Sequence, residues 1–217
     1  MVETYQTEDE QVQAIKDWWK ENGRSVIAGL IIGITAIAGY RYWSHYQTTQ
    51  SEQASMIYGQ VIASVANADN EKAFEQGQNL LTHYSGTPYA SLTALTLSKL
   101  ALDKSDYTTA AAQLRWILDN SKDAGLQHVA RLRLARVLAS ENKPDLALSL
   151  LNESDISGFT TLYQETRGDI LIQQGKVAEA EVEYSKALED LEMNPQRRRI
   201  LEMKLNDLAV TTEKVQP

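Results

Sequence analysis

The sequence predicts an all-α chain: a single N-terminal transmembrane helix followed by a solenoid of helical hairpins. Three observations carry this expectation. Residues 25–40, SVIAGLIIGITAIAGY, contain no charge. From residue 71 onward, apolar residues recur at helical spacing between capping and breaking signals. The hairpins delimited in this way then repeat.

The apolar run lies between Arg24 and Arg41, and seven of its residues are Ile, Leu or Val. Each favours the centre of a bilayer helix by roughly 0.3–0.6 kcal/mol, together about 2–4 kcal/mol, which offsets the small residues and Thr35. Sixteen residues fall short of the ~20 that cross a bilayer. Trp18 and Trp19 before the run, and Tyr40, Tyr42 and Trp43 after it, supply interfacial belts, while Arg24 and Arg41 can snorkel. Positive charge sets the orientation. Lys16, Lys20 and Arg24 flank the N-terminal side, whereas beyond Arg41 no Lys or Arg appears until Lys72. The positive-inside rule then places residues 1–23 in the cytoplasm as a tail, 24–43 in the membrane as a signal anchor, and 44–217 on the far side. Ala36-Ile37-Ala38 mimics a signal-peptidase site, but the preceding region is long and acidic and no polar segment leads into the supposed cut.

In the tail, Thr7-Glu8-Asp9-Glu10 forms a capping box ahead of Val12, Ile15, Trp18 and Trp19, so 8–22 reads as an amphipathic helix. Beyond the membrane, Ala54, Ile57, Tyr58, Val61, Ile62 and Val65 make a helical stripe ending near Ala66 or Asn67, and the polar run 47–53 predicts a kink before it. Eight further helices follow at 71–84, 88–102, 106–120, 124–141, 144–153, 159–174, 177–191 and 195–210. Thr87-Pro88 and Asn194-Pro195 pair a capping side chain with Pro at the first helical position. Lys143-Pro144 opens another helix, and Gly175 ends one. No stretch alternates with period two between turn signals, so strands are not expected.

Segments 102–118, 139–155 and 172–188 align, superposing Ala110, Ala147 and Ala180, then Leu114, Leu151 and Tyr184 four residues on. The spacings of 37 and 33 bracket the ~34-residue tetratricopeptide (TPR) period. Gly168, Ala180, Tyr184 and Ala187 follow the small–small–aromatic–small pattern of such a hairpin. Ala135 and Ser98 stand where the last unit has Gly168, and Ile117 replaces its final Ala. Small residues let paired helices approach, and the large one fills the gap. Helix 195–210, with Ile200, Leu201, Leu205 and Leu208 on one side, reads as the cap of the stack.

Residues 44–217 hold 17 Lys and Arg against 23 Asp and Glu, a net charge of −6, which argues against nucleic acid as a partner. The sequence has no cysteine, so thiol chemistry, disulfides and cysteine metal sites are excluded. His45, His83 and His128 fall on separate helices without metal spacing, and no nucleophile elbow, phosphate loop or dinucleotide fingerprint is present. No catalytic residue, cofactor or metal is therefore expected. Glu179, Glu181 and Glu183 read as a solvated face. Arg131, Arg133 and Arg136 are candidates for a protein-binding groove, as is the triplet Arg197–Arg199, with solvent exposure or intrahelical pairing as the alternative. Gly29, Gly33 and Ala36 form a small-residue stripe that permits close packing of a second membrane helix.

The tail ending Glu21-Asn22-Gly23 leads into the Gly-rich span and Gly39-Tyr40-Arg41-Tyr42-Trp43. YTTAAAQL (107–114), LRLARV (132–137) and RGDIL (167–171) follow. In this order they resemble the YfgM-like family, the ancillary subunits of the SecYEG translocon. The resemblance covers nearly the whole chain and departs beyond Leu208. It implies a single-pass protein of the cell inner membrane with a periplasmic TPR-like domain. It further implies a non-enzymatic adaptor working with the SecYEG translocon and a PpiD-type membrane-anchored chaperone on exported client proteins, with membrane lipid around the anchor. A TPR scaffold for another envelope assembly, such as cell-wall synthesis, is the alternative, because such domains are generic adaptors.

Overall fold

Four turns of this protein share one backbone solution, and they organise the domain. Ala68, Ser105, Asn142 and Gly175 adopt positive φ (57°, 58°, 58° and 74°), spaced 37, 37 and 33 residues apart. In each turn the following N–H reaches back five residues at 2.9 Å: Asp69 to Ser64, Asp106 to Ala101, Lys143 to Leu138 and Lys176 to Leu171. The positive-φ residue itself donates to the carbonyl three residues earlier, at 2.8–3.0 Å. This is the Schellman ending, which satisfies the last carbonyls of one helix and turns the backbone into the next. Two of these turns close with an acid that caps the new helix: Asp69 accepts from Lys72 N–H and Asp106 from Thr109 N–H. The hydroxyl and N–H of Thr109 hold the Asp106 carboxyl below its usual range.

The computed structural model describes residues 8–156, 158–190 and 192–213, with side chains between 11 and 208. Thr7, the expected cap of the first helix, lies outside them. The helices are α1 (Glu8–Ala66), α2 (Asn70–His83), α3 (Pro88–Asp103), α4 (Tyr107–Asn120), α5 (Ala124–Ser140), α6 (Pro144–Leu150), α7 (Thr160–Gln173), α8 (Val177–Leu188) and α9 (Pro195–Glu213). No strand occurs among the described residues. The helical assignment of α1 continues through 47–53, the polar run where a kink is expected, and within it Thr48 Oγ1 donates to Ser44 O at 3.0 Å. The protein divides into two compact units, residues 1–50 and 51–217. In the first unit, α1 carries a segment long and apolar enough to cross a membrane.

In the second unit, the end of α1 with α2, then α3–α4, α5–α6 and α7–α8, form four hairpins, and α9 follows the last. The first hairpin obeys the same register as the other three, although the repeat legible in the sequence begins only with the second. Val61, Ser98, Ala135 and Gly168 are equivalent, and twelve residues on stand Ala73, Ala110, Ala147 and Ala180, all buried. Gly77 occupies the place of Leu114, Leu151 and Tyr184. A Cβ there would meet Leu97 Cδ1 at 2.8 Å, so the large group that fills this gap belongs to α3 instead. A continuous core runs from Ala73 to Ile170 and includes the fully buried Leu80, Leu97, Leu114, Ile117, Leu134 and Leu151. Burying each of these contributes about 1.5–3 kcal/mol of transfer free energy. A smaller cluster of Leu171, Ala180, Tyr184, Ala187, Met193 and Leu201 holds α9.

Two helices end earlier than expected, for one reason. The α6 helix stops at Leu150, and the Arg167 guanidinium takes the Leu151 carbonyl and Asn152 Oδ1. The α8 helix stops at Leu188, and Arg198 takes the carbonyls of Leu188 (3.1 Å) and Asp190 (2.6 Å). Arginines from later helices thus satisfy carbonyls that another helical turn would otherwise use. On α9, Leu201, Leu205 and Leu208 face inward, but Ile200 is half exposed, contrary to expectation. One residue is about 100° of helix, enough to carry Ile200 off the packed stripe.

Candidate protein-binding surface

Equivalent positions in repeated hairpins lie on equivalent faces of their helices; that face is open at α1, α3 and α5, whereas on α7 Thr166 is fully buried. One residue after the small position stand Ile62, Lys99, Arg136 and Asp169; two before it stand Gly59, Thr96, Arg133 and Thr166. Ile62, Lys99, Arg133 and Arg136 are exposed. Lys99 pairs with Asp103 at 2.9 Å on its own helix, an exposed contact of little energetic weight. Arg136 donates to Thr166 Oγ1 at 2.8 Å across to α7. Arg133 has no ion pair or side-chain hydrogen bond among the described residues. The α5 face therefore offers two cations, one of them unspent.

Arg131 is placed differently. It pairs with Glu153 at 2.7 Å and points Nη1 at Tyr163 Oη at 3.4 Å, while His128 Nδ1 lies 2.9 Å from the same oxygen. Tyr163 is fully buried, and the His128 ring sits 4.7 Å from that of Phe159. This knot joins α5 to α7 and to the connection before it, and it gives His128 a structural partner.

Two arginines of the triplet, Arg197 and Arg198, and one of the three glutamates, Glu183, make internal contacts, while Arg199 is exposed. Arg197 and Lys204 of α9 converge on Glu165 of α7, Lys204 Nζ at 3.0 Å, and Lys204 reaches Asp169 at 2.6 Å. Tyr184 donates to Asp169 Oδ1 at 2.7 Å, with Lys204 5.5 Å above its ring centroid. Burial pushes the Glu165 carboxyl up, but the bonds and charges of Lys204 and Arg197 outweigh it and hold the group below its usual range. Burial, then the bond and charge of Asp169, push the Tyr184 phenol well above its ordinary value. Glu179 and Glu181 are exposed as expected. Glu183 is not part of that solvated face: it pairs with Lys186 at 2.7 Å and lies 4.0 Å from Arg167. The sequence did not reveal the Glu165–Asp169–Lys204 cluster, since Lys204 lies 35–39 residues from the two acids and no local signature links them.

In the first unit, a Cβ added at Gly29 or Gly33 would meet nothing within 4 Å, and Ala36 is exposed, so the protein leaves the stripe uncovered. No group of three or more His, Asp and Glu stands ready to hold a metal among the described residues.

A family model described as a tetratricopeptide repeat-like domain matches residues 16–210. The ancillary SecYEG translocon subunit of Haemophilus influenzae is 34% identical over 201 residues, 93% of this chain and 97% of the relative. This chain belongs to that family. The subunits of the same name from Escherichia coli and Neisseria gonorrhoeae are each 29% identical, covering 96% and 93% of this chain and 100% and 97% of their own lengths. No solved structure matches. The match runs through both the apolar segment of α1 and the hairpins. In this member of the ancillary-subunit family, the repeat register described above accounts for the buried small residues, and Arg133 on α5 is one of the charges left without a partner among the described residues.

Proposed function

We propose that this protein is a non-enzymatic adaptor of the SecYEG translocon, anchored in the inner membrane, that passes emerging exported proteins to periplasmic chaperones of the PpiD type. The observation that carries this reading is the match to translocon subunits over nearly the full length, anchor included. Charge asymmetry around the span supports a cytoplasmic N-terminus and a periplasmic 44–217. In this reading 24–43 is the anchor, and Gly29, Gly33 and Ala36 face a membrane helix of the translocon complex. The common face of the hairpins, with Arg133 and Arg136, meets polypeptide. Arg131, already engaged by Glu153 and Tyr163, supports that face rather than contacting a client.

Site-specific photocrosslinking in cells tests the proposal. A crosslinker at Gly33 should capture translocon subunits, and one at Arg133 should capture exported proteins or the chaperone. Recovery of cell-wall enzymes from both positions, with no translocon component, would overturn it.

A further inference from the structure

The two ends of the stack are finished differently. On α9, exposed Gln196, Arg199, Glu202 and Asn206 surround Ile200 and Met203 with the polar surface on which a solenoid normally ends. At the other end, residues 53–68 carry no charge at all. Glu52 and Asp69 bracket that run. Asp69 is committed to capping α2, and Glu52 stands exposed one turn before Met56. Repeat register identifies what lies bare between them. Five residues before the small position stand Met56, Thr93, Ala130 and Tyr163; one before it stand Gln60, Leu97, Leu134 and Arg167; two after it stand Ala63, Leu100, Val137 and Ile170. Spaced i, i+4 and i+7, these three positions share one face of each helix.

On α3, α5 and α7 this face is buried, with Arg167 half-buried, and the second helix of the preceding hairpin packs against each: α2 on α3, α4 on α5 and α6 on α7. Leu97, for example, lies against Gly77 of α2. No hairpin precedes α1 among the described residues. Met56 is therefore 65% exposed, and Gln60 and Ala63 are exposed with it, flanked by exposed Gly59, Ile62 and Ala66. The interface that joins the hairpins is left open at α1. A second observation concerns what completes it. Gln60 Oε1 takes Gln76 Nε2 at 3.5 Å, but the Gln60 amide N–H groups have no partner among the described residues. A primary amide carries donor and acceptor together, so two copies of Gln60 across a two-fold axis bond each other reciprocally. Long, unbranched Met56 and small Ala63 put a knob and a gap on the same face. With no charge from 53 to 68, two such faces meet without like charges between them.

We propose that this face is a self-association surface, occupied by the same face of a second copy of this chain. The two α1 segments pair in parallel and in register, so that each residue of the stripe, Gln60 included, meets its own counterpart. Each copy then takes for the other the place that a preceding helix takes for α3, α5 and α7. The contact needs no other protein, so it stands apart from the translocon reading and from the surface around Arg133 and Arg136.

The chain has no cysteine, so single cysteines placed in the full-length protein report proximity without interference. Ala63→Cys, expressed in cells and oxidised in isolated membranes, should migrate on a non-reducing gel at twice the monomer mass. Glu75→Cys, on the exposed side of α2, should stay monomeric. Adding Met56→Lys to Ala63→Cys should lower the crosslinked fraction at least about tenfold, the scale of losing one buried Met side chain. Because Met56 is exposed in the single copy, Met56→Lys should melt with the parent in detergent, so a lost crosslink cannot be ascribed to unfolding. Gly29→Leu with Gly33→Leu should leave the crosslink in place, which separates this contact from one made within the membrane. Monomeric Ala63→Cys, equal crosslinking of Glu75→Cys, a crosslink that survives Met56→Lys or vanishes with the glycine pair, or capture of a different protein in place of a second copy would each overturn the proposal.

Discussion

Gly168→Ala adds one methyl group where, of all the glycines, an added Cβ has the least room. A Cβ there would lie 2.6 Å from Tyr184 Cδ1 and 2.9 Å from its Cζ, with Cε1 closer still. Carbon atoms rest at about 3.5–4.0 Å, so the overlap at Cδ1 is about 0.9–1.4 Å. Tyr184 has little freedom to yield. It is buried, its hydroxyl is tied to Asp169, and Lys204 sits over its ring. Overpacking of this kind costs about 1–3 kcal/mol, while Ala in place of a helical Gly returns up to about 1 kcal/mol. The expected net loss is about 1–2 kcal/mol, or roughly 2–8 °C in melting temperature for a protein of this size. Gly59→Ala is the control: it sits in α1 with nothing within 4 Å of an added Cβ and should gain up to about 1 kcal/mol. Denaturation followed by circular dichroism in the same detergent reads both. Gly168→Ala as stable as the parent, while Gly59→Ala gains, would refute the idea that this position limits the approach of α7 and α8.

Glu165→Gln should loosen α9, seen as faster amide exchange in 195–208. Its folded pKa lies below the ordinary 4.5, so the carboxylate's stabilisation is complete above about pH 4.5 and is lost as pH falls through the depressed folded value; Glu165→Gln should flatten that acid limb. Ala68→Gly should stabilise by up to about 1 kcal/mol because Ala pays a steric cost at φ 57°, whereas Gly175→Ala at φ 74° should lose about 1–2 kcal/mol; parallel denaturation curves check the opposite signs. Gly29→Leu with Gly33→Leu should preserve membrane insertion and disrupt recovery of the complex on blue-native gels. Alkaline phosphatase fused after Pro217 should be active; an inactive fusion would reverse the assigned orientation.

Periodicity and punctuation were enough to read the helices. Leu114, Leu151 and Tyr184 recur because each must fill the same gap, and Pro88, Pro144 and Pro195 open helices at the N1 position in both sequence and structure. The apolar segment of α1 needed only its composition. The first hairpin escaped notice because Gly77 holds the place of a large residue and borrows Leu97 from α3 to fill it, a substitution across elements that no one-dimensional alignment registers. The turns at Ala68 and Ser105 were likewise hidden, since the Schellman bonds impose positive φ on residues that do not prefer it. Charge followed the same division. The sequence established that Arg131, Arg133, Arg136 and the Arg197–Arg199 triplet were present, but partner choice depends on distances between helices. Tertiary packing spent Arg131, Arg197 and Arg198 on Glu153, Glu165 and the end of α8, and left Arg133 exposed. Helix formation is local and is written in spacing; which charge remains available to a partner is a property of the packed stack.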